Sequence, residues 1–224
     1  HCNSHSSFKD KVSMSNLCQE ITLPTTPIQD IHDEQGEIAL CILSAVNVGG
    51  LNDLSELENI CDLSVRALEQ IIDYQDYPVK AAEVSTKKRR SLGIGYIGLA
   101  HYLAKNGVKY SDPKAWDLVD RLTEAFQYNL LRASCNIAME KGKCEGFERT
   151  KYADGLLPID HYKKEIDEIV PHKQRMAWES LRKDIAKYGL RHSTLSAQMP
   201  SESSSVVSNE TNGIEPPRAL MAIK

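Results

Sequence analysis

The chain has 224 residues, of which 41% are hydrophobic and 26% are charged, and its formal net charge is −4. This composition excludes intrinsic disorder, and the length supports one sizeable hydrophobic core or a large part of one. The small negative charge lacks the broad basic field on which nucleic-acid and membrane binding depend, so we expect neither as a partner. No apolar stretch reaches the ~20 residues that span a bilayer and no secretory leader opens the chain, so we expect a cytoplasmic protein.

The six cysteines show no Cys-x-x-Cys pair and no regular spacing, which argues against a secreted disulfide framework. Their thiols are therefore available for chemistry. His1, Cys2 and His5 offer three potential metal ligands without a fourth in range, so we expect no metal site there. We predict ordinary packing for the cysteines that fall on or near helical patterns, which are Cys61, Cys135 and Cys144.

A thiol and a carboxylate lie two residues apart in the stretch 15–20, which reads Ser-Asn-Leu-Cys-Gln-Glu. Residues 6–15 are polar, and prolines 24 and 27 forbid a continuing helix, so we predict a loop followed by extended chain. Alternate side chains of such a backbone point the same way, so we expect Cys18 and Glu20 to face one substrate. An isolated Cys-x-Glu is more often a buried small residue beside an exposed acid, so the assignment depends on further motifs.

The nearly continuous apolar run at residues 37–48 predicts a strand buried on both faces, with Cys41 inside it. A helix is predicted to open at residues 52–55 and to run to Tyr74, with Ser55 and Glu58 as a capping box. Its predicted apolar face consists of Ile60, Leu63, Leu68, Ile71 and Ile72.

Residues 93–98 read Gly-Ile-Gly-Tyr-Ile-Gly, a literal match to the dinucleotide-binding fingerprint. That motif needs a buried strand directly before it, which aims the loop at the pyrophosphate. Here the polar residues 85–90 precede it, and they include the cationic run 87–90, which we predict to be solvated surface. The glycines therefore indicate a turn with close backbone approach, followed by a helix over residues 99–105, rather than a nucleotide site.

The longest predicted helix begins with Asp112 as its cap and Pro113 in its first turn, and Gly142 ends it. Its predicted buried stripe consists of Trp116, Val119, Leu122, Phe126, Leu130, Ala133 and Ile137. Two shorter helices are predicted over residues 160–169 and 175–188, the second closed by Gly189. Helices that alternate with short apolar runs predict an α/β fold with parallel strands.

A hydroxyl-rich loop follows Pro200 and reads Ser-Glu-Ser-Ser-Ser. A helix predicted to begin at residues 206–208 would present free backbone N–H groups that attract an anion. A serine-rich loop by itself is more often a linker than a phosphate site. The candidate binding residues of this loop are Ser201, Glu202, Ser203, Ser204 and Ser205.

Four features follow one another along the chain: the Ser-Asn-Leu-Cys-x-Glu stretch, Cys41 twenty-three residues after Cys18, the Pro-Ser-Glu loop, and Asn-Gly-Ile-Glu-Pro-Pro-Arg at residues 212–218. This combination resembles the large catalytic subunit of class I ribonucleotide reductase, of which the chain would be an internal or split segment. The resemblance implies part of a ten-stranded α/β barrel built from two five-stranded halves. Residues 1–35 would form the finger loop with the reactive cysteine, and residues 36–224 most of the second half-barrel.

The resemblance also implies a reaction, the reduction of ribonucleoside diphosphates to their 2′-deoxy forms by thiyl-radical chemistry. Cys18 would carry the radical that takes the 3′ hydrogen, and Glu20 would accept the proton of the 3′-hydroxyl. Asn16 would hold a substrate hydroxyl or orient Glu20, and Cys41 would be one half of the dithiol that supplies two electrons. The serine loop would hold the diphosphate, with Ser203 where many relatives carry threonine.

The implied partners lie outside this chain. No cofactor is expected on the segment itself, since the radical would come from a small subunit with a di-iron tyrosyl radical, and thioredoxin or glutaredoxin would restore the dithiol. The remaining segments of the large subunit would supply the second thiol, the tyrosine pair of the radical relay and the allosteric sites. The complete protein would be a homo-oligomer, and the isolated segment is expected to be inactive.

Two alternatives remain open. The chain could be a non-catalytic split fragment that acts only by assembling with a complementary chain. It could also belong to another radical enzyme of the same barrel type, such as a glycyl radical lyase. That second alternative needs a glycine-radical loop near a carboxyl terminus, and residues 214–224 contain no glycine.

Overall fold

The computed structural model describes residues 7–12, 14–169 and 173–219 of the chain. The predictions for His1, Cys2 and His5 lie outside these residues. Two strands, β1 (Ile42–Asn47) and β2 (Leu92–Ile97), form a parallel sheet. The α-helices of the described residues are α1 (Glu56–Tyr74), α2 (Lys80–Arg89), α3 (Leu99–Lys105), α4 (Pro113–Lys141), α5 (Trp178–Tyr188) and α6 (Glu202–Val207). Short 3-10 turns lie at Glu145–Arg149, Lys151–Asp154, Pro158–Asp160 and Lys164–Glu168.

Strand β2 is held on both of its edges. In register with β1 on one side, it is bordered on the other by residues 194–197, where the backbone N of Ile94 donates to the carbonyl of Leu195 at 2.8 Å. The backbone N of Leu92 donates in the same way to the carbonyl of Thr194 at 3.1 Å. Every residue of β2 is buried as a result. The predicted α/β fold with parallel strands is confirmed.

Two of the three glycines in residues 93–98, Gly93 and Gly95, lie in this strand and not in a turn. A β-carbon at Gly93 would lie 2.6 Å from Cδ2 of Leu43 and 2.8 Å from Sγ of Cys41, so the predicted close approach is confirmed. The predicted turn is wrong for Gly93 and Gly95, because β1 and residues 194–197 hold both in an extended strand. Gly98 alone turns the chain, with φ of +85°, into α3, whose predicted limits are confirmed.

The first strand is shorter than predicted. Glu37 forms an isolated antiparallel bridge with Thr26, outside β1. Its carboxylate accepts hydrogen bonds from Nζ of Lys88 at 2.7 Å and from Nε of Arg89 at 2.5 Å. This charge pairing holds the start of the apolar run away from the sheet, so Cys41 directly precedes β1 instead of lying inside it.

The cationic run 87–90 is divided between surface and core. Lys87 pairs with Glu83 on the surface of α2 at 2.7 Å. Arg89 and Arg90 are buried, and Nε of Arg90 donates to Oε2 of Glu69 at 2.7 Å. The prediction of a solvated run is wrong for both arginines, since carboxylates from distant parts of the chain neutralise them.

Helices α1 and α4 pack against each other in the core, and the predicted limits of α4 at Pro113 and Gly142 are confirmed. Trp116 is 49% exposed, so its place in the buried stripe is wrong, because the first two turns of α4 contribute only Ala115 to the buried face. On α1 the assignments of Leu63 and Ile71 to the apolar face are also wrong, since both are exposed.

The predicted capping box at the start of α1 is not formed, because the side chain of Ser55 makes no capping hydrogen bond. The carboxylate of Asp53 organises this turn instead and accepts a hydrogen bond from the backbone N of Ser55 at 2.8 Å.

Of the two shorter predicted helices, the first is not formed and the second begins later than expected. Residues 160–169 contain 3-10 turns in place of an α-helix. Helix α5 begins only at Trp178, because Oε1 of Glu124 accepts hydrogen bonds from the backbone N of Arg175 at 2.7 Å and of Met176 at 3.1 Å and holds both outside the helix. Gly189 closes α5 as predicted. No helix in the described part of the chain is both long and apolar enough to cross a membrane.

Candidate active site

A cavity of about 190 Å³ lies where the loop before β1 meets the sheet. Its walls come from residues 7–8 and 20–23, from Cys41, from Leu92 of β2, from α4, from the 3-10 turns between residues 152 and 161, and from residues 194–197. The lining residues that carry polar or sulfur atoms in their side chains are Ser7, Glu20, Thr22, Cys41, Gln127, Tyr152, His161, Thr194 and Ser196. The structure therefore brings together two of the predicted catalytic residues, Glu20 and Cys41.

Glu20 carries a buried carboxylate oxygen, Oε2, that has no hydrogen-bond partner among the described residues. A buried acceptor without a donor is unfavourable by roughly 1–3 kcal/mol, and more for a charged group. A polar ligand that donates a hydrogen bond to this oxygen would remove the penalty. Glu20 is therefore suited to receive a hydroxyl group of a bound molecule.

Asn16 closes the loop that presents Glu20. Its side-chain oxygen accepts a hydrogen bond from the backbone N of Ile21 at 3.1 Å, and its carbonyl accepts one from the backbone N of Gln19 at 3.1 Å. Ser15 adds a third hydrogen bond across this loop, since its hydroxyl donates to the carbonyl of Ile21 at 2.6 Å. Of the two roles predicted for Asn16, this geometry favours the orientation of Glu20.

Cys18 lies at the outer end of the same loop and is exposed. It does not line the cavity, so the expectation that Cys18 and Glu20 face the same side is wrong for the segment as described. The cause is Gln19, whose φ of +62° lies in the left-handed region and breaks the alternation of an extended chain. Glu20 consequently turns inward while Cys18 remains outside.

Cys41 is a protonated thiol at neutral pH. Burial raises its pKa, and the nearby negative charge of Glu20 raises it further, to about 12. Cys61, Cys135 and Cys144 are buried without lining the cavity, which agrees with the packing role predicted for them. The described residues contain no group of three His, Cys, Asp or Glu side chains that could hold a metal ion.

The serine loop lies apart from the cavity. Helix α6 begins at Glu202 and ends at Val207, so the predicted helix start at residues 206–208 is wrong. Ser201 and Ser205 are buried, and their hydroxyls donate to Oδ1 of Asn212 at 3.2 Å and to the carbonyl of Glu202 at 2.7 Å. The side chains of Ser203 and Ser204 are exposed. The loop and the Asn-Gly-Ile-Glu-Pro-Pro-Arg motif are thus in direct contact.

Several lining residues were not predicted from the sequence. The hydroxyl of Ser196 donates to Oε1 of Gln127 at 2.7 Å, which joins α4 to the edge of the sheet at the cavity wall. Gln127 follows the stripe residue Phe126, and a polar side chain at that position of a helix is ordinary. Only the neighbouring elements make it part of a site.

A parallel α/β sheet with a thiol and a carboxylate lining one cavity is typical of part of an enzyme domain. The family model of the ribonucleotide reductase barrel domain matches residues 1–224, and the chain belongs to this family. The resemblance drawn from the motifs is therefore confirmed, and the chain is an α/β segment of that barrel.

Curated relatives agree with this membership. The chain is 58% identical over 227 residues to the ribonucleoside-diphosphate reductase subunit alpha of Buchnera aphidicola subsp. Baizongia pistaciae. It is 54% identical over 227 residues to subunit alpha of reductase 1 of Escherichia coli, and 45% identical over 218 residues to the subunit alpha of Enterobacteria phage T4. These alignments cover 100%, 100% and 96% of this chain. The chain spans 30%, 30% and 28% of the length of these relatives.

Proposed function

We propose that this chain is the part of a ribonucleoside-diphosphate reductase large subunit that carries the radical cysteine, the proton acceptor and one thiol of the reducing pair. The observation that supports this most directly concerns Glu20, which lines the same cavity as Cys41. One of its carboxylate oxygens is buried and has no hydrogen-bond partner among the described residues. The substrate class follows the names of the curated relatives.

The proposed reaction replaces the 2′-hydroxyl of a ribonucleoside diphosphate with hydrogen. Cys18, as a thiyl radical, takes the 3′ hydrogen, Glu20 accepts the proton of the 3′-hydroxyl, and the 2′-hydroxyl leaves as water. Cys41 and a second thiol from another part of the subunit supply two electrons and two protons and end as a disulfide. Cys18 finally returns the hydrogen to C3′, so the cycle consumes one dithiol for each deoxynucleotide.

The surroundings of Glu20 and Cys41 suit these two roles. A general base must lie within roughly 2.6–3.2 Å of the proton that it accepts, and the open acceptor site on Glu20 leaves room for that contact. Cys41 keeps its proton at neutral pH because burial and the charge of Glu20 raise its pKa. A protonated thiol is the form that can deliver hydrogen to the substrate intermediate.

Cys18 needs a cover that the described residues do not supply. A thiyl radical must be shielded from water, and Cys18 is exposed beside Leu17, whose exposed fraction is 96%. We propose that residues 1–35 form a finger loop and residues 36–224 most of a half-barrel, and that the remaining barrel encloses this loop. An apolar side chain such as Leu17 at its tip is suited to such burial.

The serine loop is the proposed diphosphate site. Ser203 and Ser204 keep exposed hydroxyls available as donors, and Glu202 lies beside them at the start of α6. Ser201 and Ser205 are committed to internal hydrogen bonds and would shape the loop instead of contacting phosphate.

The proposed partners follow from the same chemistry. A small subunit with a di-iron tyrosyl radical would generate the radical, thioredoxin or glutaredoxin would reduce the disulfide, and the complete subunits would associate as a homo-oligomer. Free thiols are stable in the reducing cytoplasm, which we propose as the location.

The test uses the full-length polypeptide that contains this segment, together with the small subunit and thioredoxin. We expect deoxynucleotide from the unaltered protein and none from the Cys18→Ser variant. Cys61→Ala serves as the matched control, because Cys61 is buried outside the cavity, and it should retain activity. Product from Cys18→Ser at the unaltered rate would contradict the proposal, and the absence of product from every form would favour the assembly-only alternative.

A further inference from the structure

Glu210 and His101 form a pair that no part of the proposed chemistry uses. Nδ1 of His101 lies 2.9 Å from Oε2 and 3.1 Å from Oε1 of Glu210. The Glu210 side chain is only 5% exposed, whereas that of His101 is 51% exposed. A nearly buried carboxylate is therefore reached from the solvent side by one imidazole.

The carboxylate of Glu210 occupies a space that two glycines leave open. A β-carbon would lie 2.8 Å from Cδ of Glu210 at Gly49, and 2.8 Å from Cγ of Glu210 at Gly98. The backbone N of Thr211 also donates to Oε1 of Glu210 at 2.8 Å. The loop after β1 and the start of α3 thus pack closely around this side chain.

The same segment is tied to α3 through its backbone. The backbone N of Gly98 donates to the carbonyl of Thr211 at 3.0 Å, and that of Leu99 to the carbonyl of Gly213 at 3.3 Å. Among the described residues, His101 is the one side chain that donates to this carboxylate, so its loss would leave Glu210 with the backbone N of Thr211 as its donor. A buried acceptor in that condition favours movement of the segment toward solvent.

Both ends of the serine loop depend on this segment. The backbone N of Glu210 donates to the carbonyl of Ser205 at 2.8 Å. Asn212 accepts a hydrogen bond from the hydroxyl of Ser201 at 3.2 Å. A displacement of residues 210–212 would therefore shift α6 at its beginning and at its end.

We infer that His101 is a positioning residue for the serine loop: by holding Glu210 against Gly49 and Gly98, it sets the orientation in which Ser203 and Ser204 bind the diphosphate group of the substrate. This inference rests on the proposed function, since the loop binds a diphosphate only in that proposal. His101 itself contacts no substrate.

The test measures equilibrium binding of a ribonucleoside diphosphate to the full-length protein by calorimetry, without the radical source. His101→Ala should raise the Kd roughly fivefold to tenfold. This is less than the full loss of a hydrogen bond to a charged group, because His101 acts on the loop only through Glu210. His101→Asn places an amide donor near the position of Nδ1 and should restore the Kd to within about twofold. In a Glu210→Ala background, His101→Ala should have no further effect, because the two residues act as one unit.

His32→Ala is the matched control, as it removes an exposed histidine from another loop. The inference is overturned if His101→Ala leaves the Kd unchanged or if His101→Asn binds as weakly as His101→Ala. It is also overturned if the effects of His101→Ala and Glu210→Ala on the Kd add in the double variant. In the turnover assay His101→Ala should raise KM and leave kcat within about twofold. A drop in kcat alone would also overturn it. Because binding is measured without chemistry, failure of the reductase assay and failure of this inference give different results.

Discussion

Glu69 on α1 and Arg90 at the end of α2 form a buried ion pair, with Nε of the arginine 2.7 Å from Oε2 of the carboxylate. Arg191 and His192 donate to the same carboxylate, at 2.8 Å and 3.0 Å. Nε2 of His192 faces a carboxylate, which only accepts hydrogen bonds, so Nε2 carries the proton. Burial lowers the pKa of His192 and keeps the ring neutral, so Nδ1 accepts from the hydroxyl of Ser134 at 2.9 Å, and that hydroxyl accepts in turn from the backbone N of His192. Residues far apart in the chain, at positions 90 and 191–192, thus meet at the one carboxylate of Glu69.

Loss of the Glu69 charge should weaken the fold. Glu69→Gln removes one of the two anions that face buried Arg90, leaving Asp73, and it removes the anion that faces partly buried Arg191. We expect unfolding to become easier by about 3 kcal/mol, at the lower end of the range for breaking a buried ion pair. Urea unfolding followed by circular dichroism measures the change. The control is Glu140→Gln, because Glu140 pairs with Arg66 on the surface and its side chain is 49% exposed, so its removal should cost at most about 1 kcal/mol. Equal losses for the two variants would contradict this account.

The Glu69 cluster should also make stability depend on acid. Burial alone would raise the pKa of Glu69, but the hydrogen bonds from His192, Arg90 and Arg191 lower it from 4.5 to about 2. A carboxyl group with a lowered pKa stabilises the fold above its unfolded-state pKa, and this contribution is lost as the pH falls from about 4.5 to about 2. The stability difference between the unaltered protein and Glu69→Gln should therefore shrink over that range. A difference that stays constant in acid titrations would show that Glu69 is not the responsible group.

The two chemical cysteines should differ in reactivity toward iodoacetamide. Cys18 is exposed, whereas burial and the charge of Glu20 raise the pKa of Cys41 to about 12, so Cys18 should be alkylated first. Glu20→Gln removes the negative charge and should lower the pKa of Cys41, which increases its alkylation rate at a given pH. Cys61 is the internal control, because its pKa of about 12 results from burial alone and should not change. Peptide mapping by mass spectrometry reports each site, and equal acceleration at Cys61 would indicate general loosening instead.

The roles of Cys18 and Cys41 should be separable by product analysis in the full-length enzyme. Cys18→Ser cannot take the 3′ hydrogen, so the substrate should remain intact. Cys41→Ser still permits that first step, but the intermediate that has lost its 2′-hydroxyl finds no complete dithiol and should decompose with release of free base. Chromatography of the nucleotide products under one radical supply distinguishes the two. Free base from both variants, or from neither, would mean that the assigned roles are wrong.

The sequence alone predicted the features that depend on local backbone constraints and on motif order. Pro113 and Gly142 mark the limits of α4, and Gly98 marks the start of α3, because proline and glycine restrict or release φ within a single turn. The motifs at residues 15–20, 200–205 and 212–218, together with the spacing of Cys41 from Cys18, were sufficient to indicate the family. The α/β class followed from the alternation of helical and short apolar patterns.

Only the tertiary structure decided which of these residues are buried, which charges are neutralised and which side chains meet. Residues 93–97 form a strand because β1 and residues 194–197 border them, and Arg90 is buried because Glu69 and Asp73 lie within reach. Gln19 separates Cys18 from Glu20 through a left-handed φ that no pattern in the loop indicates. Each outcome depends on contacts between residues far apart in the chain or on one backbone rotation, and sequence periodicity reports neither.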